Sequence, residues 1–179
     1  MLLFFALALL AQFHLVEQRS MTWALVLGGA VGAGLTAKYA MVYFPLCAAI
    51  AAILGVARIA WRDAAIAGIA ALVVVGPNLV WNAVNGFTTL RHTGDNADWQ
   101  GLQFNLGGLA EFIGGQFAIA GPVLFAAYLA GLAFSRSQPK RLYLAAMSVP
   151  IFLIVSFQAL QSGANANWAA AAHMAVVLM

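Results

Sequence analysis

Residues 64–83 read AAIAGIAALVVVGPNLVWNA, twenty positions without a charge, entered through Arg62-Asp63 and left through Asn85-Gly86. A helix needs about 20 apolar residues to cross the roughly 30 Å hydrocarbon core of a bilayer. The run has none of the polar/apolar alternation of a barrel strand. In lipid a backbone must satisfy its own N–H and C=O groups, so this stretch predicts a transmembrane helix.

Similar charge-free stretches lie on both sides of it, at 1–16, 20–37, 39–57, 112–135 and 142–179. The last is too long for one crossing, and Gln161-Ser162-Gly163 with Asn165-Ala166-Asn167 divides it. The expected spans are 2–16, 22–36, 39–57, 64–83, 119–135 and 142–160, with a seventh starting near 168. The expected fold class is therefore an all-α polytopic transmembrane bundle, one domain over 1–179. Met1–Leu10 lacks the basic start and small-residue cleavage site of a secretion signal. Apolar runs reach both ends, so the chain is expected to be an internal fragment, truncated at each end.

Composition agrees. Of 179 residues, 64% are hydrophobic and 7% charged, and the mean hydropathy is +0.93. Soluble domains carry about 25% charged residues. The net charge of +3 comes from scattered residues rather than one basic stripe, which speaks against nucleic acid. A single cysteine, Cys47, allows no internal disulfide and reads as a small buried side chain.

Charges between the spans set the orientation. Arg58/Arg62 and Arg136/Lys140/Arg141 are expected on the cytoplasmic side. Segment 85–111 then lies outside, with Asn165, Asn167 and the exceptional cation Lys38. Gly28 and Gly32 form a G-x-x-x-G pair that lets helix backbones approach closely. Pro45, Pro77, Pro122 and Pro150 fall in or beside spans, where prolines kink helices and are tolerated.

The long outer segment is the one varied polar region. Asn85-Gly86 and Gly94-Asp95 mark turns. Arg91, His92, Asp95 and Asp98 fall within eight positions, with Trp99 beside them. One reading is a solvated turn. The other is a site for an anionic or hydroxylated substrate. Arg91 suits phosphate oxygens, the His92 imidazole could move a proton, and Trp99 offers a face to a sugar or a place in the aromatic belt. Next, 106–117 reads as a short helix along the surface, with Leu106, Leu109, Phe112, Ile113 and Phe117 at helical spacing and Glu111 and Gln116 elsewhere.

Lys38-Tyr39 and Asn165-Ala166-Asn167-Trp168 are the other outer candidates. Lys38 either snorkels to the headgroups or grips a phosphate there. Asn165–Trp168 is equally a turn with a belt tryptophan. His14 and His173 read as packing or interfacial residues. No metal motif is visible. Asp95 and Asp98 would share a divalent cation only with further ligands.

Five segments in order carry a resemblance: Leu35-Thr36-Ala37-Lys38-Tyr39; Pro77–Asn82 running into Asn85-Gly86-Phe87; Arg91-His92-Thr93 with Asn96-Ala97; Glu111–Phe117 with Gly121-Pro122; and Ala164–Trp168. Together they resemble bacterial glycosyltransferase family 39, relatives of the protein O-mannosyltransferases and of the lipid A aminoarabinose and lipopolysaccharide-core galacturonic acid transferases. The resemblance implies a GT-C fold in the bacterial inner membrane. It implies a polyprenyl-phosphate-linked sugar as donor and an acceptor on the periplasmic face, whether lipopolysaccharide, another glycan or a protein. Lys38 would match the family's lysine near the donor phosphate, assisted by Arg91 and His92. Tyr39, Trp99, Asn165, Asn167 and Trp168 would line the substrate. The family's acidic catalytic motif belongs to a first outer loop with no counterpart before Lys38. The fragment alone is thus expected to be inactive, with Asp95 or Asp98 as fallback base. A transporter or permease and a non-catalytic assembly subunit are the alternatives. The first is disfavoured because charges keep to span ends, and the second predicts that Lys38, Arg91 and His92 point apart.

Overall fold

A computed structural model of the chain describes residues 1–97, 103–135 and 138–179. Among the described residues every regular element is helical. The helices are α1 (Leu2–Glu17), α2 (Met21–Ala37), α3 (Tyr43–Ile53), α4 (Trp61–Val84), α5 (Thr88–Ala97), α6 (Leu106–Ala120), α7 (Pro122–Ala133), α8 (Pro139–Ser162) and α9 (Ala172–Val176). Short 3-10 turns at Tyr39–Val42 and Ala166–Ala169 precede α3 and α9.

α1 and α2 form a tight hairpin. Ser20 caps α2, its hydroxyl accepting from the Trp23 N–H at 3.3 Å. The His14 and Trp23 rings stack across the turn with centroids 4.3 Å apart. α2 then runs parallel to α4. Arg19 Nε meets Asp63 Oδ2 at 3.4 Å where the two helices begin, and the Tyr39 hydroxyl meets Asn78 on α4 at 2.7 Å where α2 has ended. The return between them is made by α3.

Glycine makes the α2–α4 contact possible. A Cβ on Gly28 would strike the Ala67 carbonyl oxygen, and one on Gly32 would lie 2.7 Å from the Ala71 carbonyl oxygen. The G-x-x-x-G pair is thus the seam of two closely apposed backbones. Gly29, between them, faces open space.

α8 runs through the middle of the bundle. Its start lies beside the end of α1, with Lys140 Nζ 5.6 Å from the Phe13 ring centre and the Tyr143 hydroxyl 3.2 Å from Gln12 Oε1. Phe5, Phe44, Met41, Met147, Ile151, Val155 and Phe112 form the buried core around it. Phe5 and Phe44 meet edge to face at 5.2 Å.

Among the described residues two helices, α4 and α8, are long and apolar enough to cross a bilayer. Each has 24 residues, about 36 Å of helix at 1.5 Å per residue. On α4, Ile69, Leu72, Val73, Val80 and Val84 are exposed, as expected of a helix facing lipid. The helices at 2–17, 21–37 and 39–53 are apolar but shorter. The span expected at 119–135 is broken: α6 and α7 meet at 108°, and together they count as at most one crossing. Gly121 turns the chain there with φ +81, and Pro122, which has no N–H to extend α6, starts α7. Six complete crossings therefore do not appear as six long helices.

Candidate functional site

The helix directions sort the charges into two ends. Arg19, Arg58, Arg62, Asp63, Lys140 and Arg141 belong to the end where α2, α4 and α8 begin. Lys38, Arg91, His92 and Asp95 belong to the end where α2 and α4 finish and α5 follows. Asn165, Asn167 and Trp168 follow the end of α8 on this same side, since Asn105 N–H donates to the Leu160 carbonyl and Gln158 Nε2 to the Ala97 carbonyl.

Lys38 closes α2. Its backbone is extended, at φ −164 and ψ 126, and its N–H donates to the Gly34 carbonyl at 2.8 Å. The side chain is exposed and holds no hydrogen bond or ion pair among the described residues. Tyr39, one position on, is tied down. Its hydroxyl donates to Asn78 Oδ1 and accepts from Asn82 Nδ2 at 2.8 Å. Asn82, 1% exposed, also donates to the Asn78 carbonyl at 3.0 Å. Its Oδ1 accepts the Thr89 N–H at 3.3 Å. A buried amide in an apolar helix must find partners, and Asn82 finds them on three segments.

Segment 85–111 is not a loop throughout. Asn85-Gly86 is a turn as expected, with Gly86 at φ +68 and Phe87 at φ +57 reversing the chain. Gly94-Asp95, expected to be a turn, lies inside α5. The chain has already turned at Gly86, so a second break is not needed. Arg91 and His92 lie four and three positions before Asp95 on this helix, and all three are exposed. Asp98 and Trp99 lie outside the described residues, as does Arg136.

The far end of α5 is held by α8. Gln158 Nε2 donates to the Ala97 carbonyl at 2.9 Å, and the Ser162 hydroxyl donates to it as well. Gln161 Oε1 accepts the Gln103 N–H at 3.0 Å. Asn105 then caps α6 through the Gly108 N–H at 2.8 Å.

The surface helix expected at 106–117 is α6, and one face of it is deeply packed. Gln116, which falls off the apolar positions of this helix, is 1% exposed. Its Nε2 donates to the Phe112 and Ala166 carbonyls, both at 3.1 Å. Its Oε1 lies 3.0 Å from His173 Nε2, which must therefore carry the proton of that bond. His173 is thus buried and bonded through one nitrogen, while Nδ1 has no partner among the described residues. Gly115 lets the 166–169 turn approach α6, since a Cβ there would lie 2.6 Å from Ala166 Cβ. Asn165 and Asn167 are exposed on that turn, and Trp168 packs partly into the main core.

The structure thus joins Tyr39, Asn78, Asn82 and the start of α5 directly. It brings Lys38 and Arg91 to one end without linking their side chains. Asn78, Asn82 and Gln116 are site-building residues that the sequence reading did not single out. Their common signal is a carboxamide inside an otherwise apolar helix. Among the described residues no three His, Cys, Asp or Glu side chains group as metal ligands.

Over its whole length the chain resembles one curated protein. It is 41% identical, across 183 aligned residues, to the lipid A galacturonosyltransferase RgtD of Rhizobium johnstonii. The chain spans 39% of the length of that relative. No family model matches it, and no solved structure does.

Proposed function

We propose that this chain is the part of a membrane glycosyltransferase that grips the phosphate of a polyprenyl-phosphate-linked sugar, delivering that sugar to lipid A or a related glycan at the outer face of the inner membrane. The observation that carries the reading is the 41% identity, over the entire chain, to a protein named for galacturonosyl transfer to lipid A. The charge layout supports it, because exposed Lys38 and Arg91 share an end bordered by apolar helices. That is where a lipid-linked phosphate would lie. A GT-C architecture belongs to the same proposal.

In the reaction an acceptor hydroxyl oxygen attacks the sugar C1. The bond from C1 to the phosphate oxygen breaks, its electron pair stays on the phosphate, and a carboxylate takes the hydroxyl proton. Lys38 and Arg91 would stabilise the charge that grows on the leaving phosphate, with His92 beside them. Tyr39, Trp99, Asn165, Asn167 and Trp168 would border the sugar. The base is not assigned. Asp95 and Asp98 are the carboxylates of this segment, and a base from another part of the full-length protein is equally compatible.

The test is Lys38→Ala in the full-length protein, with transfer measured from a polyprenyl-phosphate-linked uronic acid to lipid A. Loss of a preorganised charge stabiliser costs about 100- to 1,000-fold in turnover, and that is the expected result. Unchanged turnover would remove Lys38 from the phosphate site.

A further inference from the structure

Four polar groups connect the two cations of the proposed site, and a single residue is common to the whole connection. Lys38 is followed by Tyr39, whose hydroxyl is bonded to Asn78 and Asn82. Asn82 is in turn bonded to the Thr89 N–H, two positions before Arg91. Both amide hydrogens of Asn82 and its oxygen have partners: one hydrogen goes to Tyr39, the other to the Asn78 carbonyl, and the oxygen accepts from Thr89. Thr89 lies in the first turn of α5, where backbone N–H groups have no partner within the helix. Asn82 therefore acts as a cap delivered from another helix. Rotation or loss of this side chain would release the turn after Lys38 and the start of the helix bearing Arg91 together.

From this we infer that Asn82, with Tyr39 and Asn78, is a positioning device that fixes the separation of Lys38 and Arg91 to suit one phosphate group. The inference rests on the phosphate-binding reading above. Neither Asn82 nor Asn78 touches the substrate in it. They act through the backbone of residues 38–39 and 88–91. Preorganisation of this kind lets charged donors meet a developing anion without rearranging. The hydroxyl of Tyr39 is spent on this clamp, so its ring, rather than its oxygen, is what remains for a sugar.

The test uses the full-length protein, reconstituted in lipid, with Tyr39→Phe and Asn82→Ala made alone and on top of Lys38→Ala. Each single change should raise the KM for the lipid-linked sugar donor about tenfold, the size of one net hydrogen bond, and leave the acceptor KM unchanged. In the Lys38→Ala background the same changes should cost clearly less than alone, because one of the two cations they position is gone and only the placement of Arg91 remains. Full cost in that background, or an unchanged donor KM in the singles, overturns the inference. Tyr39→Phe removes one oxygen only and keeps the test valid if Asn82→Ala fails to fold. Unchanged transfer by Lys38→Ala alone would instead sink the phosphate-binding reading itself, a separate outcome.

Discussion

Gln116 shows how much a single side chain does in an apolar setting. Its amide joins α6 to the 166–169 turn and to His173 on α9. Replacing it with leucine keeps the volume but leaves the Ala166 carbonyl and the His173 Nε2–H unsatisfied in a buried place. Each orphaned group costs about 1–3 kcal/mol, so Gln116→Leu is expected to lower stability by about 2 kcal/mol or more. Thermal unfolding of the purified protein in detergent checks this, and an unchanged midpoint would mean that both groups find other partners. In the sequence Gln116 only falls off the apolar positions of 106–117, and nothing there names the partners it bridges. Asn78 and Asn82 were noticed there only as part of a longer pattern. Their four-residue spacing in a membrane helix is the usable signal: both amides fall on one face, and a buried polar face must meet a partner.

At the scale of elements, the apolar runs were readable. Their positions hold for α1, α2, α4 and α8, because hydrophobic length alone determines them. The break between α6 and α7 was not. Pro122 reads in the sequence as a tolerated kink in or beside a span, whereas positive φ at Gly121 followed by proline turns the axis through 108°. Gly76-Pro77 lies inside α4 while Gly121-Pro122 ends α6, so the dipeptide alone does not say whether proline bends a helix or ends it. The glycine seam of α2 was readable as packing, but its partner was not, since sequence does not say which helix lies opposite. The seam makes a discriminating prediction. Gly28→Ala and Gly32→Ala push a methyl into the α4 backbone and should each destabilise by about 1–3 kcal/mol. Gly29→Ala meets nothing and should be neutral or slightly stabilising, as alanine favours helix. The three variants are compared in one unfolding series, and equal effects at positions 28 and 29 would contradict the parallel α2–α4 contact.

Across the whole molecule, the arrangement of charge is what the sequence anticipated best. Lys38 stood out as the cation on the unexpected side, and the helix directions place it with Arg91 and apart from Arg62 and Lys140. The two-ended layout follows from the helix directions, since each of these cations stands at or beside a helix end. What the linear chain could not reveal is how Lys38 and Arg91 are tied together, since Tyr39 and Asn82 lie 43 positions apart and meet only through folding.

The proposed sugar transfer requires the Lys38/Arg91 end to face away from the cytoplasm, and single-cysteine labelling reads that face directly. Cys47 is fully buried, so it contributes little background. The full-length protein would carry Thr93→Cys on α5 or Lys140→Cys at the start of α8, and intact cells would be treated with a thiol reagent that crosses the outer but not the inner membrane. Labelling at position 93 without labelling at position 140 is the predicted result. Labelling at 140 and protection at 93 would turn the molecule over and remove the periplasmic sugar-transfer site with it.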